Sequence, residues 1–306
     1  MSERTGVLAA LTSSTLGGTI AATTRFVVAD VDPLTLGALR FGGAFLVLLP
    51  VVVALRQPWP KGRDWLWVVL LGGVYFCVYQ VLYNVAFVYT TAAHGSMIGS
   101  MLALMTMVVA ALFGVERLSG RKTAGVLIAT GGVAIALATG LAAAPQGAWR
   151  GDLVMLAGIF CWACYNIWSR PFIARSSPLT FLIGGMGVGA AGLLALVLWR
   201  GGLGAVAALR PGQFAAVGYM ALFATPVALW LWIFALNRAT PTRVASTMAM
   251  HPVGASILAA IIVGEPIGLN LALGVIAVLA GIWIATREGA SPEQKNEQGQ
   301  SPARIS

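Results

Sequence analysis

The residues richest in chemistry here are aromatic and amide rather than acid or base. Tyr75, Tyr79 and Tyr83 recur at every fourth position, with Gln80 and Asn84 beside them. On a helix that spacing lays the three rings along one stripe. Trp162, Asn166 and Ser169 share a helical face in the same way. A hydroxyl or indole N–H away from the surface needs a hydrogen-bond partner or water. The pattern suits recognition of a small molecule in a wet cavity. It also suits helix–helix packing with interhelical hydrogen bonds.

Bond-making chemistry has little to work with. No His-Glu-x-x-His, paired aspartates or serine–histidine pairing occurs in the apolar segments, so no enzyme, metal or cofactor is expected. His251 precedes Pro252, whose ring removes a backbone donor and frees a carbonyl. His251 is therefore the candidate for pH sensitivity, or else a neutral histidine bonded between helices. Ser13, Ser14 and Gly17, and Ser96, Gly99 and Ser100, offer small hydroxylic walls. Met97, Met101 and Met105 form an adaptable stripe that also reads as core. Cys161 and Cys164 have redox-motif spacing, but no strand surrounds them, and packing is the expected role.

Composition says what must position these groups. Of 306 residues, 58% are hydrophobic and 9% charged, and the mean hydropathy is +0.86. A soluble protein draws roughly a quarter of its residues from Asp, Glu, Lys and Arg. Runs of about 20 apolar residues recur throughout, each able to cross a roughly 30 Å hydrocarbon core. An all-α polytopic membrane protein follows. The +9 net charge does not imply a nucleic-acid partner, because the bases sit in short loops.

Breaks at charge, proline and glycine predict ten helices at 7–27, 33–55, 64–89, 92–113, 121–142, 151–174, 178–199, 212–237, 242–263 and 267–286. Asp32-Pro33 and Ser177-Pro178 each place a capping residue before a first-turn proline. Trp59, Trp65, Trp67, Trp149, Trp199 and Trp283 fall near span ends, as interface anchors. With the N-terminus cytoplasmic, fourteen bases fall on the cytoplasmic side and five, Arg40 among them, on the other. Both termini are then cytoplasmic. All ten acidic residues lie in loops or at span ends, leaving no carboxylate for a proton relay. Glu116 and Glu265 precede helix starts, where the dipole favours an anion.

The chain also repeats itself. Asp32-Pro33-Leu34-Thr35-Leu36 returns as Ser177-Pro178-Leu179-Thr180-Phe181, and Gly114, Glu116, Gly125 and Gly132 correspond to Gly264, Glu265, Gly274 and Gly281. Five spans per half is odd, so the halves should sit in opposite senses, a pattern of transporters with a midplane site. The Pro-Leu-Thr step with Leu39-Arg40-Phe41, and the Gly-Glu step before a glycine-punctuated last helix, resemble the EamA repeat. Two such repeats, 1–143 and 150–287 with a polar cytoplasmic tail at 288–306, resemble the ten-helix branch of the drug/metabolite transporter superfamily. The aromatic third and sixth spans are most similar to a bacterial amino-acid exporter of that branch.

The resemblance implies export of aromatic and other neutral amino acids across a bacterial inner membrane; with no mid-span carboxylate, alternating access without an imposed ion gradient is expected. It implies that the third-span tyrosines Tyr75, Tyr79 and Tyr83 and the sixth-span Trp162 face the cavity, with Tyr79, Tyr83 and Trp162 first; the residues themselves add Gln80, Asn166, Ser100, Met101 and His251 as candidates. The expected partners are a neutral amino acid and lipid, with the chain a monomer. Polar side chains and backbone dipoles are expected to hold the zwitterion without a buried formal charge. The alternative is a carrier of a sugar, a purine or a lipophilic cation, proton-coupled or not. Reporter fusions after residues 60, 119 and 290 should read cytoplasmic, and one near 147 periplasmic. Reversal at two of these points contradicts the inverted arrangement.

Overall fold

The computed structural model describes residues 3–28, 31–90, 92–116, 118–136, 138, 147–201, 204–207, 209–254 and 269–286. Among them every regular element is helical, one of the two ways a chain in lipid can satisfy its backbone without water, since each helix closes its own hydrogen bonds. Helix α1 is Glu3–Val28 and α2 is Pro33–Ala54. The third segment is α3, Asp64–Gly72, a π-helical stretch Gly73–Tyr79, and α4, Gln80–Tyr89. Helices α5 (Ala92–Ser100) and α6 (Leu102–Leu112) are divided at Met101, and α7 is Gly120–Ala136. The second half holds α8 (Trp149–Trp168), α9 (Arg170–Arg175) and α10 (Pro178–Trp199). Then come α11 (Pro211–Tyr219), a π stretch Met220–Ala224 and α12 (Thr225–Leu236). Helix α13 (Pro241–Ser246), a 3-10 turn Thr247–Met250 and α14 (Leu269–Thr286) follow, and a single helical turn, Gly204–Ala207, lies between α10 and α11.

Six of these segments are long and apolar enough to cross a membrane, including Asp64–Ala86, Trp149–Arg175 and Pro211–Leu236. Met97–Leu112 and Ala272–Thr286 are shorter apolar helices. The chain is a multi-pass membrane protein. The ninth expected span is described only to Gly254, and Glu265 and the tail lie outside the described residues.

The expected caps form. Asp32 Oδ2 accepts from the backbone N–H groups of Leu34 and Thr35 at 3.1 and 3.0 Å. Ser177 Oγ accepts from Thr180 N at 3.1 Å, and Thr180 Oγ1 accepts in return from Ser177 N at 3.3 Å. The two π stretches are a finding that sequence pattern does not supply. Each interrupts the third segment of its half, and their separation falls between the two offsets that relate the repeated motifs.

Helices α7 and α14 pack closely through those motifs' glycines. A Cβ on Gly125 would lie 2.7 Å from the Gly281 carbonyl oxygen, and one on Gly281 would lie 2.6 Å from that of Gly125. Gly132 and Gly274 stand in the same reciprocal relation, at 2.9 and 2.6 Å. The pairing runs up one helix and down the other, so the helices are antiparallel. Lipid offers no hydrophobic drive for helix association, so close backbone approach must supply it. Gly281→Ala should therefore cost roughly 1–3 kcal/mol, because only backbone movement relieves the overlap. Gly131→Ala, where a Cβ meets open space, is the control. Thermal unfolding in detergent should fall for Gly281→Ala alone; equal melting of both variants contradicts this packing.

Candidate functional site

The Tyr75–Tyr79–Tyr83 stripe forms as a physical ladder. Rings Tyr75 and Tyr79 stack 5.3 Å apart, and Tyr79 and Tyr83 follow at 5.7 Å. Trp162 of α8 closes on it, 5.5 Å from Tyr75 and 5.1 Å from Tyr79, and Trp232 of α12 continues the row 5.4 Å beyond. Each such contact contributes about 0.5–1.5 kcal/mol beyond its area. The π stretch carries Tyr75 and Tyr79 at its middle and end. A π turn is wider than an α turn and is commonly found at functional sites.

This ladder is one wall of a cavity of about 110 Å³, room for several waters. Both halves contribute to it. Ser13 and Gly17 come from α1, Arg40 and Phe41 from α2, and Gly95 and Gly99 from α5. Ile159 and Trp162 come from α8, Thr225, Ala228, Leu229 and Trp232 from α12, and Met248 and His251 from the ninth segment. The expected candidates Tyr75, Tyr79, Tyr83, Gln80, Trp162 and His251 therefore meet in one cavity.

Three other candidates lie outside its lining. Asn166 is fully buried behind Trp232, whose Nε1–H it accepts at 3.0 Å. Ser100 turns its hydroxyl back to the Met97 carbonyl at 2.6 Å. Met101 sits at the α5–α6 break, so its stripe is divided. Ser14 bonds Thr247 at 2.8 Å and holds α1 to the 3-10 turn. The side chain of Ser96 lies outside the description.

Arg40 corrects the sequence reading most. It was counted with the loops opposite the termini, and no buried formal charge was expected. Instead it lies inside α2, 9% exposed, on the cavity wall. Its Nη2 donates to Gln80 Oε1 at 3.0 Å, while Nε finds no acceptor. The signal was available, since position 40 is well inside the segment drawn from 33 to 55 and an ionisable residue there is costly. Trp232 and Thr225 were also missed. Two more lining groups lack protein partners, the Trp162 indole N–H and the Thr225 hydroxyl.

Hydrogen bonds and ion pairs tie the halves at one end of the bundle, where α1 begins. Beside the cavity, further from that end, Ser13 also joins the halves by donating to the Ala228 carbonyl at 2.6 Å. Glu116 accepts from Lys122 at 3.0 Å and from the Thr242 backbone N–H at 3.1 Å. The helix-end role expected of Glu116 is thus played at α13, in the other half. Arg243 pairs with Glu3, and Arg175 with Asp64 at 2.9 Å. Among the described residues no cluster of His, Cys, Asp or Glu could hold a metal.

Several known proteins are similar to this chain. A solved crystal structure superposes with a TM-score of 0.75 over 93% of this chain and 98% of that one, at 23% identity, which establishes the likeness of fold. A probable terminal-alkyne amino-acid exporter of Streptantibioticus cattleyicolor is 26% identical over 84% of each chain. A probable amino-acid metabolite efflux pump of Escherichia coli is 25% identical over 93% of this chain and 95% of the other. The model of the EamA-like transporter family matches residues 4–138 and again 149–287, and to that family this chain belongs.

Proposed function

We propose that the chain exports aromatic and other neutral amino acids across a bacterial inner membrane by alternating access. In this reading ten spans form two inverted five-helix repeats, both termini are cytoplasmic, and the monomer is the transporting unit. The observation that carries it is the cavity itself. It draws side chains from both halves, sets ring faces beside hydroxyl and amide groups, and leaves polar donors without protein partners. A zwitterion with an apolar side chain fits such a wall, and the amino-acid exporters among the relatives support that substrate class. The antiparallel glycine pairing of α7 and α14 supports the inverted arrangement.

Mechanism follows from where the bonds are. The end carrying Glu3, Glu116 and Arg243 is closed by a few polar contacts between halves. Exchange of these for equivalent contacts at the opposite end would move the halves as bodies around a fixed cavity. Among the described residues no carboxylate lines that cavity, which supports a step without proton coupling.

Trp162→Ala, Tyr79→Ala and Tyr83→Ala should fold and insert yet lose most counterflow of labelled phenylalanine in proteoliposomes, at least tenfold per folded molecule. Tyr79→Phe and Tyr83→Phe divide ring from hydroxyl: retained flux marks stacking, lost flux a hydrogen bond. Trp59→Ala and Trp199→Ala should leave substrate preference unchanged. Wild-type flux and range in all three alanine variants would reduce the ladder to core. Imposed proton or sodium gradients should leave flux unchanged at a fixed amino-acid gradient. Uphill export driven by a pH jump would contradict uncoupled transport and direct attention to His251.

A further inference from the structure

Arg40 has an environment that costs free energy and is not explained by packing. A charged side chain deep in a span is expensive and is usually paired with another charge or a carbonyl. The described ion pairs join Lys122 with Glu116, Arg175 with Asp64 and Arg243 with Glu3; none includes Arg40. The carboxylate of Asp32, about two helical turns earlier, is committed to capping α2, accepting from Leu34 N, Thr35 N and the Thr35 hydroxyl. Asn84 is likewise spent on the Pro33 carbonyl at 2.9 Å. The hydrogen-bond acceptor that Arg40 meets is the Gln80 amide oxygen; beside it stand the adjoining Phe41 ring, 4.4 Å from its Cζ, and the tyrosines of the ladder. Guanidinium has five donors in a planar fork that matches a carboxylate. Here that fork is more than nine-tenths buried, lies on the cavity wall and keeps an unpartnered Nε.

We propose that Arg40, oriented by Gln80, is the seat of the substrate's carboxylate. The inference rests on reading the chain as an amino-acid exporter and deepens it by naming what is selected. Substrates are monocarboxylates with an apolar or aromatic side chain. The carboxylate meets Arg40, and the side chain lies along Tyr79, Trp162 and Trp232. The rings that line the cavity supply π faces for an ammonium. A fixed cation on the wall repels lipophilic cations and gives an uncharged sugar or purine no compensation for its burial. Selection thus depends on the carboxylate first and the ammonium second.

The test compares analogues of phenylalanine missing one charge, using the full-length purified protein. In detergent, 3-phenylpropionate should raise the melting temperature of the wild type, and phenethylamine should not. In liposomes over short times, 3-phenylpropionate should compete with labelled phenylalanine at least tenfold better than phenethylamine. Arg40→Gln should lower apparent affinity for phenylalanine by roughly ten- to a hundredfold, as expected for loss of a hydrogen bond between charged groups, and abolish the preference. Arg40→Lys should keep the preference in weakened form. If Arg40→Gln fails to fold, the wild-type comparison still decides. Equal competition by the amine and the acid overturns the carboxylate seat while leaving amino-acid transport standing. A melting shift with 3-phenylpropionate but no phenylalanine counterflow overturns the amino-acid reading and leaves the seat. Neither shift nor counterflow overturns both.

Discussion

A positive charge inside a hydrocarbon layer must be surrounded by something that tolerates it, and much of this molecule is arranged around that need. Arg40 reaches the cavity from α2, and the third segment brings Gln80 to meet it. The same segment widens into a π stretch just before Gln80, setting Tyr75 and Tyr79 in parallel on the cavity side. From there the ring contacts run to Trp162 and Trp232, and Trp232 is held in turn by Asn166. Remove the charge and the ladder would be an ordinary aromatic core. With it, the ladder becomes the apolar half of a site whose polar half is a guanidinium lacking an anion.

Around that centre, lipid sets the remaining terms. Helices close their own backbone bonds, and association relies on close approach and on polar groups between helices. Both are visible. Glycines of α7 and α14 meet backbone to backbone, while Ser13, Ser14 and Glu116 each reach from the first half to a partner in the second. Exposed ion pairs such as Arg175–Asp64 are worth little individually, about 0–1 kcal/mol. Such contacts suit an end of the bundle that must open and reclose, whereas the glycine pairing along α7 and α14 suits two helices that stay together.

Much of this was legible in the residues, and the failures are instructive. Caps at Asp32 and Ser177 were readable because Asp-Pro and Ser-Pro have few alternative uses, and the structure forms them. Repeated glycines were readable as a pattern, but that they would face one another emerged only with the fold. Fourfold spacing placed the tyrosines together, because a helix face is a local property. Asn166 shares that kind of spacing with Trp162, yet its partner is Trp232, remote in sequence and invisible to periodicity. Glu116 was rightly tied to a helix end, but to the end of a helix in the other half. Arg40 was misread by counting bases per side without asking its depth within its own segment.

The central claim is that one cavity, with a charged end and an aromatic end, receives an amino acid. An experimental structure with 4-bromophenylalanine bound tests it most directly, because bromine can be located by anomalous scattering independently of the protein. The account predicts a single strong bromine peak beside Trp162 and Trp232, with the ligand's carboxylate within hydrogen-bond distance of Arg40. A peak outside the cavity, or a ligand reversed so that bromine lies against Arg40, would contradict it.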